Sequence, residues 1–111
     1  MRRPPKYRNV PVVVDGVRFA SKAEAARDAE LQLLERAGRI RNIRRQPKFD
    51  LVVNGKKVCR YVGDWQYTEL GEHGRQRFEV VEDRKGVLTP AFKIKWALAK
   101  ALHPEIEWRL S

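Results

Sequence analysis

Hydrophobic residues recur along this chain both in alternation and at helical spacing, and the two patterns together predict a fold of mixed α and β elements. Two β-like runs, residues 10–14 and 17–19, flank Asp15 and Gly16. This dipeptide is favoured in two-residue type I′ turns. The chain is therefore predicted to open with a short β-hairpin.

Two segments have the spacing of amphipathic helices. Apolar residues recur every three or four positions over residues 22–37, after Ser21 as a candidate N-cap and before Gly38 as a terminator. The second segment covers residues 90–102 and begins with a Thr-Pro pair, which is typical of a helix start. We therefore expect two helices.

Four further runs are typical of β-strands. Residues 49–53 and 58–67 are rich in β-branched and aromatic residues, and an Asn-Gly pair between them predicts a second hairpin. Residues 77–85 form a third strand that pairs with the one before it. Residues 106–110 alternate apolar and charged side chains, which predicts a closing strand.

The third strand ends in charged residues, which is unusual for a buried strand. Because side chains alternate, Asp83 and Lys85 fall on one face about 7 Å apart, whereas Glu82 and Arg84 point the other way. A carboxylate beside an ammonium suits metal-dependent phosphodiester hydrolysis, in which carboxylates hold Mg²⁺ and a lysine stabilises the water or the phosphate charge. A solvated strand end with an ion pair explains the same pattern without chemistry.

Asp64, on the preceding strand, is the natural second carboxylate. In an antiparallel pair, only a register that sets Asp64 directly or diagonally opposite Asp83 places both side chains on one face. Either arrangement lets the two carboxylates share a divalent ion, and any other register without a bulge separates them.

The charge balance indicates a polyanionic partner. The 111 residues include 24 Lys and Arg against 14 Asp and Glu, and the net charge of +10 favours nucleic acid. A dense basic cluster lies at the end of the first helix and in the loop predicted to follow it, and it comprises Arg36, Arg39, Arg41, Arg44, Arg45 and Lys48. Clustered arginines suit phosphate contacts, with a solvated loop as the alternative. Lys22 and Lys93 are further candidate DNA contacts, although Lys93 also suits a solvated helix face.

The remaining composition argues against other classes of protein. Cys59 is the single cysteine, and His73 and His103 are far apart, so neither an intrachain disulfide nor a zinc-binding motif is expected. Without a long apolar run or a signal-type segment, we expect a cytoplasmic protein that does not span a membrane. Residues 1–9 are expected to form a basic flexible arm, and residues 10–111 a single domain.

Four short motifs follow one another in the chain. They are Phe19, Ser21, Lys22 and Glu24, then Gln46 and Pro47, then Gly63 and Asp64, and last Asp83, Arg84, Lys85 and Gly86. In this order they resemble the PD-(D/E)XK nuclease superfamily, particularly its small phage and prophage endonucleases of the Holliday junction resolvase type. The resemblance spans residues 15–110, with Gly63 where the superfamily has proline. It implies a restriction-endonuclease-like αβββαβ core, in which helices flank a mixed four-stranded sheet.

The resemblance implies catalytic roles for four residues. Asp64 and Asp83 would be the chief ligands of Mg²⁺, or of Mn²⁺ as a substitute, and Lys85 would stabilise charge and position water. Glu24 would be an additional metal ligand, but a capping box with Ser21 accounts for the same spacing without any chemistry.

The sequence leaves two questions about the site open, the role of Gln46 and the choice of acid at the end of the third strand. Gln46 is expected to support the metal ligands without touching the ion, or simply to cap a turn. A slip of one residue would make Glu82 the inward acid with Arg84 as its companion. We prefer Asp83, because arginine does not release a proton and the superfamily uses lysine.

We therefore expect a metal-dependent DNA endonuclease that acts on branched or recombination-intermediate DNA. It would work as a monomer or a homodimer, in the bacterial cytoplasm if it is phage-encoded. The alternative is a non-catalytic basic module that binds DNA or RNA, or an accessory subunit of a phage recombination or packaging complex. In that case the acidic residues would be structural.

Overall fold

A mixed four-stranded β-sheet separates two apolar clusters. The computed structural model describes residues 10–111. Its elements are β1 (Val12–Val14), β2 (Val17–Phe19), α1 (Lys22–Arg36), β3 (Ile40–Arg45), β4 (Lys48–Val53), β5 (Lys56–Val62), β6 (Trp65–Leu70), β7 (Gln76–Asp83), α2 (Pro90–Leu102) and β8 (Glu107–Leu110). The sheet has the order β3-β6-β7-β8, with β8 parallel to β7 and the other pairs antiparallel. This confirms the predicted α+β class, the two helices, the mixed four-stranded sheet and the opening hairpin.

Both predicted tight turns are present. Asp15 and Gly16 have φ angles of 49° and 79°, and Asn54 and Gly55 have φ angles of 51° and 77°. A type I′ turn needs left-handed backbone at both central positions, which is why these dipeptides are informative. The turns close the β1–β2 and β4–β5 hairpins.

Each face of the sheet is covered by different elements. Helix α1 covers one face, where the buried cluster consists of Leu31, Ile40, Trp65, Tyr67 and Val80. Helix α2 and the β4–β5 hairpin cover part of the other face, where the buried cluster consists of Leu51, Tyr61, Val81 and Ala99. Strands β6 and β7 are therefore packed against apolar residues on both faces.

The basic segment predicted to be a loop is strand β3, at the edge of the central sheet. Ile40 and Ile43 both pack towards α1 although they are three residues apart. A bulge between Arg41 and Arg44 includes Asn42 with a φ angle of 59°, and it shifts the strand by one residue. The extra residue hides the alternation by which strands are recognised.

The predicted strand over residues 58–67 is divided into β5 and β6, with Gly63 and Asp64 between them. Residues 49–53 lie in the two-stranded β4–β5 sheet and not in the central one. Helix α1 ends at Arg36, one residue before the predicted end, and α2 has the predicted bounds. The expected arm at residues 1–9 lies outside the described residues. Neither helix in residues 10–111 is long and apolar enough to cross a membrane.

Candidate active site

Backbone hydrogen bonds fix Asp64 at the junction of the two sheets. The N–H of Gln46 donates to the carbonyl of Asp64 at 2.9 Å, and the N–H of Gly63 donates to the carbonyl of Pro47 at 2.9 Å. The N–H of Asp64 donates to the carbonyl of Glu82 on β7 at 3.2 Å. The chain thus passes from the hairpin to the central sheet at Asp64, with Gln46 beside it.

Space and hydrogen bonding both explain the glycine at position 63. A Cβ atom there would lie 3.1 Å from Val81 Cγ1 and 3.3 Å from Pro47 Cγ. A proline would also lack the N–H that binds the Pro47 carbonyl. Both effects favour glycine over proline at this position.

The register of β6 and β7 brings Asp64 and Asp83 together. The paired residues of the two strands end with Trp65 opposite Glu82, and the N–H of Asp64 also donates to the Glu82 carbonyl. Asp64 therefore lies just before β6, beside the end of β7. The Asp64 carboxyl group is close enough to Asp83 to raise the pKa of Asp83. Asp64 Oδ2 also accepts a hydrogen bond of 2.8 Å from the N–H of Arg84.

Asp83 is fully buried, and one of its oxygens has no hydrogen-bond partner among residues 10–111. The hydroxyl of Tyr61 donates to Oδ2, whereas Oδ1 accepts no hydrogen bond from these residues and lies 3.3 Å from Lys85 Nζ. Burial, together with the adjacent Asp64 carboxyl, raises the pKa of Asp83 to about 7. A bound cation would favour the ionised form of such a group.

Lys85 lies just beyond the end of β7. Its Nζ is 4.9 Å from the ring centroid of Phe92 on α2, so the ammonium lies near both an aromatic ring and Asp83. The side chain is only partly buried. The lysine is thus held at the site while remaining open to solvent.

Glu24, in the first turn of α1, faces Asp64 and also caps its helix. Its N–H donates to Ser21 Oγ at 3.2 Å, and its carboxylate accepts a hydrogen bond from the N–H of Ala20 at 3.3 Å. Burial and the negative charge of Asp64 raise the pKa of Glu24. A pocket of about 240 Å³ is lined by Glu24, Gln46 and Asp64 among others.

This donor set suits Mg²⁺. Asp64, Asp83 and Glu24 offer only carboxylate oxygens, and Mg²⁺ is commonly held by one or two carboxylates with water and substrate phosphates. Within residues 10–111, no three His, Cys, Asp or Glu side chains are already gathered into a metal-binding group. The free oxygen of Asp83 beside Asp64 fits a site with two carboxylates.

Glu82 points to the opposite face of the sheet and is neutralised there. Arg27 Nε and Nη2 donate to its two carboxylate oxygens at 2.6 and 3.0 Å, and the hydroxyl of Tyr67 donates at 2.7 Å. Burial alone would raise the pKa of Glu82, but these hydrogen bonds outweigh it and lower the pKa. Asp83, and not Glu82, is therefore the acid that faces Asp64.

The basic residues of β3 lie on both faces of the sheet. Arg41 and Arg44 pair with Thr68 and Gln66, on the face away from α1. Arg44 binds the carboxylate of Glu79 there. The other predicted DNA contacts, Arg39, Lys48, Lys22 and Lys93, are exposed.

Arg45 has a structural partner that the sequence did not predict. Its Nε and Nη2 donate to the buried carboxylate of Asp28 at 2.7 and 2.9 Å. Asp28 also accepts hydrogen bonds from Trp65 Nε1 at 2.9 Å and Gln32 Nε2 at 2.6 Å. The guanidinium of Arg45 thus neutralises a buried charge, and because its side chain is still 40 % exposed, the predicted DNA contact there stays a prediction.

Three residues of the site have no distinct sequence signal. Tyr61 and Phe92 are aromatic residues in an apolar strand and helix, where they are expected to be ordinary core. Arg27 has the spacing of a solvated helix residue. Only the meeting of β5, β7, α1 and α2 in three dimensions gives these side chains their acidic and basic partners.

The fold and the site define an α+β protein with a pair of facing carboxylates and a lysine at the ends of two central strands. Residues 4–110 match the model of a family described as "Protein of unknown function (DUF1064)". The chain belongs to that family. No curated protein and no solved structure matches it.

Proposed function

We propose that this protein is a Mg²⁺-dependent DNA endonuclease. The observation that carries the proposal is the buried Asp83, which faces Asp64 with one oxygen free and Lys85 beside it. Two adjacent carboxyl groups with only one nearby lysine reduce stability, and such groups are concentrated at functional sites. The +10 net charge favours a polyanionic substrate.

The roles of the residues follow from their positions. Asp64 and Asp83 would hold the metal, and Glu24 would join them directly or through water. When bound, Mg²⁺ or Mn²⁺ supplies positive charge that stabilises the scissile phosphate and lowers the pKa of the attacking water. Lys85 stabilises negative charge on the phosphate next to Asp83. Gln46 supports Asp64 through the backbone hydrogen bond between them.

Basic side chains outside the site would hold the flanking DNA. The carboxylates by themselves repel a phosphate backbone, so exposed cations such as Arg39, Arg41 and Lys48 offset this repulsion. The resemblance to junction resolvases makes branched DNA the preferred substrate in this proposal. Paired cuts on a symmetric junction need two sites, so a homodimer is part of the same proposal.

The test is a cleavage assay with the full chain on four-way junctions, flaps, duplexes and single strands. Cleavage is expected with Mg²⁺ or Mn²⁺, but not with EDTA and not for Asp83→Asn. Binding of DNA without cleavage of any substrate, combined with no Mn²⁺ binding by calorimetry, would favour the non-catalytic nucleic-acid-binding module instead.

A further inference from the structure

The end of the β4–β5 hairpin is exposed to solvent. All residues from 52 to 58, here called the hairpin tip, are exposed. They include Val52, Val53 and Val58, whose exposed fractions are 44 %, 36 % and 59 %. Because successive side chains in a strand point to opposite faces, a run that is exposed throughout has both faces open.

The base of the same hairpin belongs to the candidate active site. Tyr61, whose hydroxyl binds Asp83, pairs with Phe49 across the hairpin. A strand rises about 3.3 Å per residue, so the tip lies about 10 to 20 Å from Tyr61 along the hairpin. Any DNA strand bound at Asp83 therefore has the tip close to its flanking nucleotides.

The charge of the hairpin matches a polyanion. Its cations are Lys48, Lys56, Lys57 and Arg60, and Asp50 is its one carboxylate. Asp50 lies 3.3 Å from Lys57 Nζ and 3.0 Å from Arg60 Nε. The hairpin thus has excess positive charge, with apolar side chains between its lysines.

We propose that the hairpin tip enters the major groove of duplex DNA next to the cut, with Val53 and Val58 against base edges and Lys56 and Lys57 on phosphates. This proposal rests on the proposed endonuclease function. The major groove of undistorted B-DNA, about 12 Å wide, admits a two-stranded β-ribbon, whereas the minor groove, about 6 Å wide, takes β-strands mainly where the duplex is bent or widened. At about 3.4 Å per base pair, the tip reaches three to six base pairs from the cut.

A second copy of the chain is a poorer occupant for the same surface. Pairing of two tips would bury the valines, but it would also bring Lys56 and Lys57 of each copy close to those of the other. Lysines along an exposed strand edge are a common means of preventing such pairing. Phosphates offer the opposite charge and accept these lysines without repulsion.

The first experiment measures affinity for a duplex as a function of salt in EDTA, where no cleavage interferes. Lys56→Gln/Lys57→Gln should weaken binding at least tenfold and reduce the slope of log K against log salt by about 2, because each lost phosphate contact removes about 0.9. Val53→Ser/Val58→Ser should weaken binding several-fold with an unchanged slope. The control Arg75→Gln/Lys100→Gln removes the same charge from exposed positions outside the hairpin and should leave the slope unchanged.

The second experiment identifies the groove. Asn54→Cys, in a Cys59→Ser background, is offered duplexes with a thiol tether on the major-groove edge of cytosine or on the minor-groove edge of guanine. Disulfide trapping is expected only with the major-groove tether, three to six base pairs from the cleavage position. Trapping by the minor-groove tether alone, or by neither, would overturn the proposal.

The groove contact of the hairpin tip and the endonuclease function can be disproved independently. Wild-type binding and salt slope in both hairpin variants would overturn the groove contact even if the protein cleaves DNA. A change in oligomeric state of these variants, with DNA binding intact, would assign the tip to a second copy and overturn the proposal as well. Conversely, a wild-type protein that never cleaves DNA in Mg²⁺ overturns the endonuclease function, while the binding results in EDTA still decide where the tip lies.

Discussion

Tyr61 donates its hydroxyl hydrogen to Asp83 Oδ2 and thereby leaves Asp83 Oδ1 as a buried oxygen with no hydrogen bond from residues 10–111. The neighbouring acid, Glu82, receives three hydrogen bonds on the other face of the sheet. Two consecutive carboxyl groups therefore have pKa values displaced in opposite directions. In enzymes, two neighbouring acids with different roles show a divergence of this kind, and it is the pattern that the proposed function requires.

Asp83→Asn should stabilise the metal-free protein at alkaline pH. The pKa of Asp83 is about 7 in the folded protein against an ordinary value of 3.8, so the folded state binds the proton more tightly than the unfolded state. Stability should therefore fall as pH rises from about 4 to 7, and the loss persists above 7. At about 1.4 kcal/mol per pKa unit, the penalty is a few kcal/mol, and an uncharged amide removes it.

The measurement is urea unfolding in EDTA from pH 4 to pH 8. The variant should exceed the wild type at pH 8 and approach it at pH 4. Asp50→Asn, which removes an exposed carboxylate from the hairpin, is the control and should not become more stable than the wild type as pH rises to 8. A variant that is less stable than the wild type at pH 8 would contradict the prediction.

Tyr61→Phe should weaken Mn²⁺ binding, whereas Tyr67→Phe should not. The phenylalanine ring keeps its place in the aromatic cluster, but Asp83 loses the donor that holds Oδ2. Loss of a hydrogen bond that orients a metal ligand typically costs about 10- to 100-fold in affinity. Calorimetric titration with Mn²⁺ measures the effect.

Tyr67→Phe is a matched control, because it removes a hydroxyl from Glu82 on the opposite face. It should lower the free energy of unfolding by about 1–2 kcal/mol and leave Mn²⁺ affinity unchanged. Equal losses of Mn²⁺ affinity in both variants would mean that Tyr61 acts only through the general stability of the fold.

Arg27→Met should be among the more destabilising single changes in this chain. It leaves the buried carboxylate of Glu82 without its cation, which typically costs about 3–5 kcal/mol. Arg27→Met/Glu82→Met should recover most of that loss, because the charge and its partner are removed together. Urea unfolding of the two single variants and the double variant completes the cycle.

The double variant should also retain DNA cleavage, since Glu82 faces away from Asp64. Cleavage lost in a folded double variant would instead indicate that Glu82 takes part in the chemistry, as the alternative register of the charged segment would require.

The elements that were predicted correctly depend on signals within a few residues. The Asp15-Gly16 and Asn54-Gly55 turns need a left-handed backbone that these residues tolerate. The start of α2 is marked by Thr89, whose hydroxyl accepts the N–H of Phe92. The proximity of Asp64 and Asp83 was expected from the pairing of neighbouring strands, but Asp64 lies just before β6, so the strand register alone does not fix its side chain.

The features that were missed depend on contacts between distant segments. The bulge at Asn42 disguised β3, because the position of an extra residue is decided by the partner strand β6. Arg45 became a structural residue only because Asp28 on α1 packs against it. The composition of this segment shows only that it is rich in arginine. It does not distinguish an arginine that binds a buried acid from one that binds a phosphate.

Gly63→Pro should destabilise the protein more than Gly63→Ala. Alanine adds one methyl group 3.1 Å from Val81 Cγ1, and the small shift that relieves this contact should cost about 1–3 kcal/mol of stability. Proline adds a larger ring and also removes the N–H that donates to the Pro47 carbonyl. Loss of that hydrogen bond costs about 1–3 kcal/mol more. Thermal unfolding should rank wild type above Gly63→Ala and Gly63→Ala above Gly63→Pro, and a stable Gly63→Pro variant would contradict this account.

Two single variants, Glu24→Gln and Ser21→Ala, should separate metal binding from helix capping at the N-terminus of α1. Ser21→Ala removes the acceptor for the Glu24 N–H and should cost about 1 kcal/mol of stability with no effect on Mn²⁺ affinity. Glu24→Gln keeps an oxygen for the N–H of Ala20 but removes the charge that interacts with Asp64. We expect it to weaken Mn²⁺ binding several-fold while unfolding close to the wild type. If Glu24→Gln binds Mn²⁺ as tightly as the wild type, Glu24 only caps the helix, and the metal rests on Asp64 and Asp83 alone.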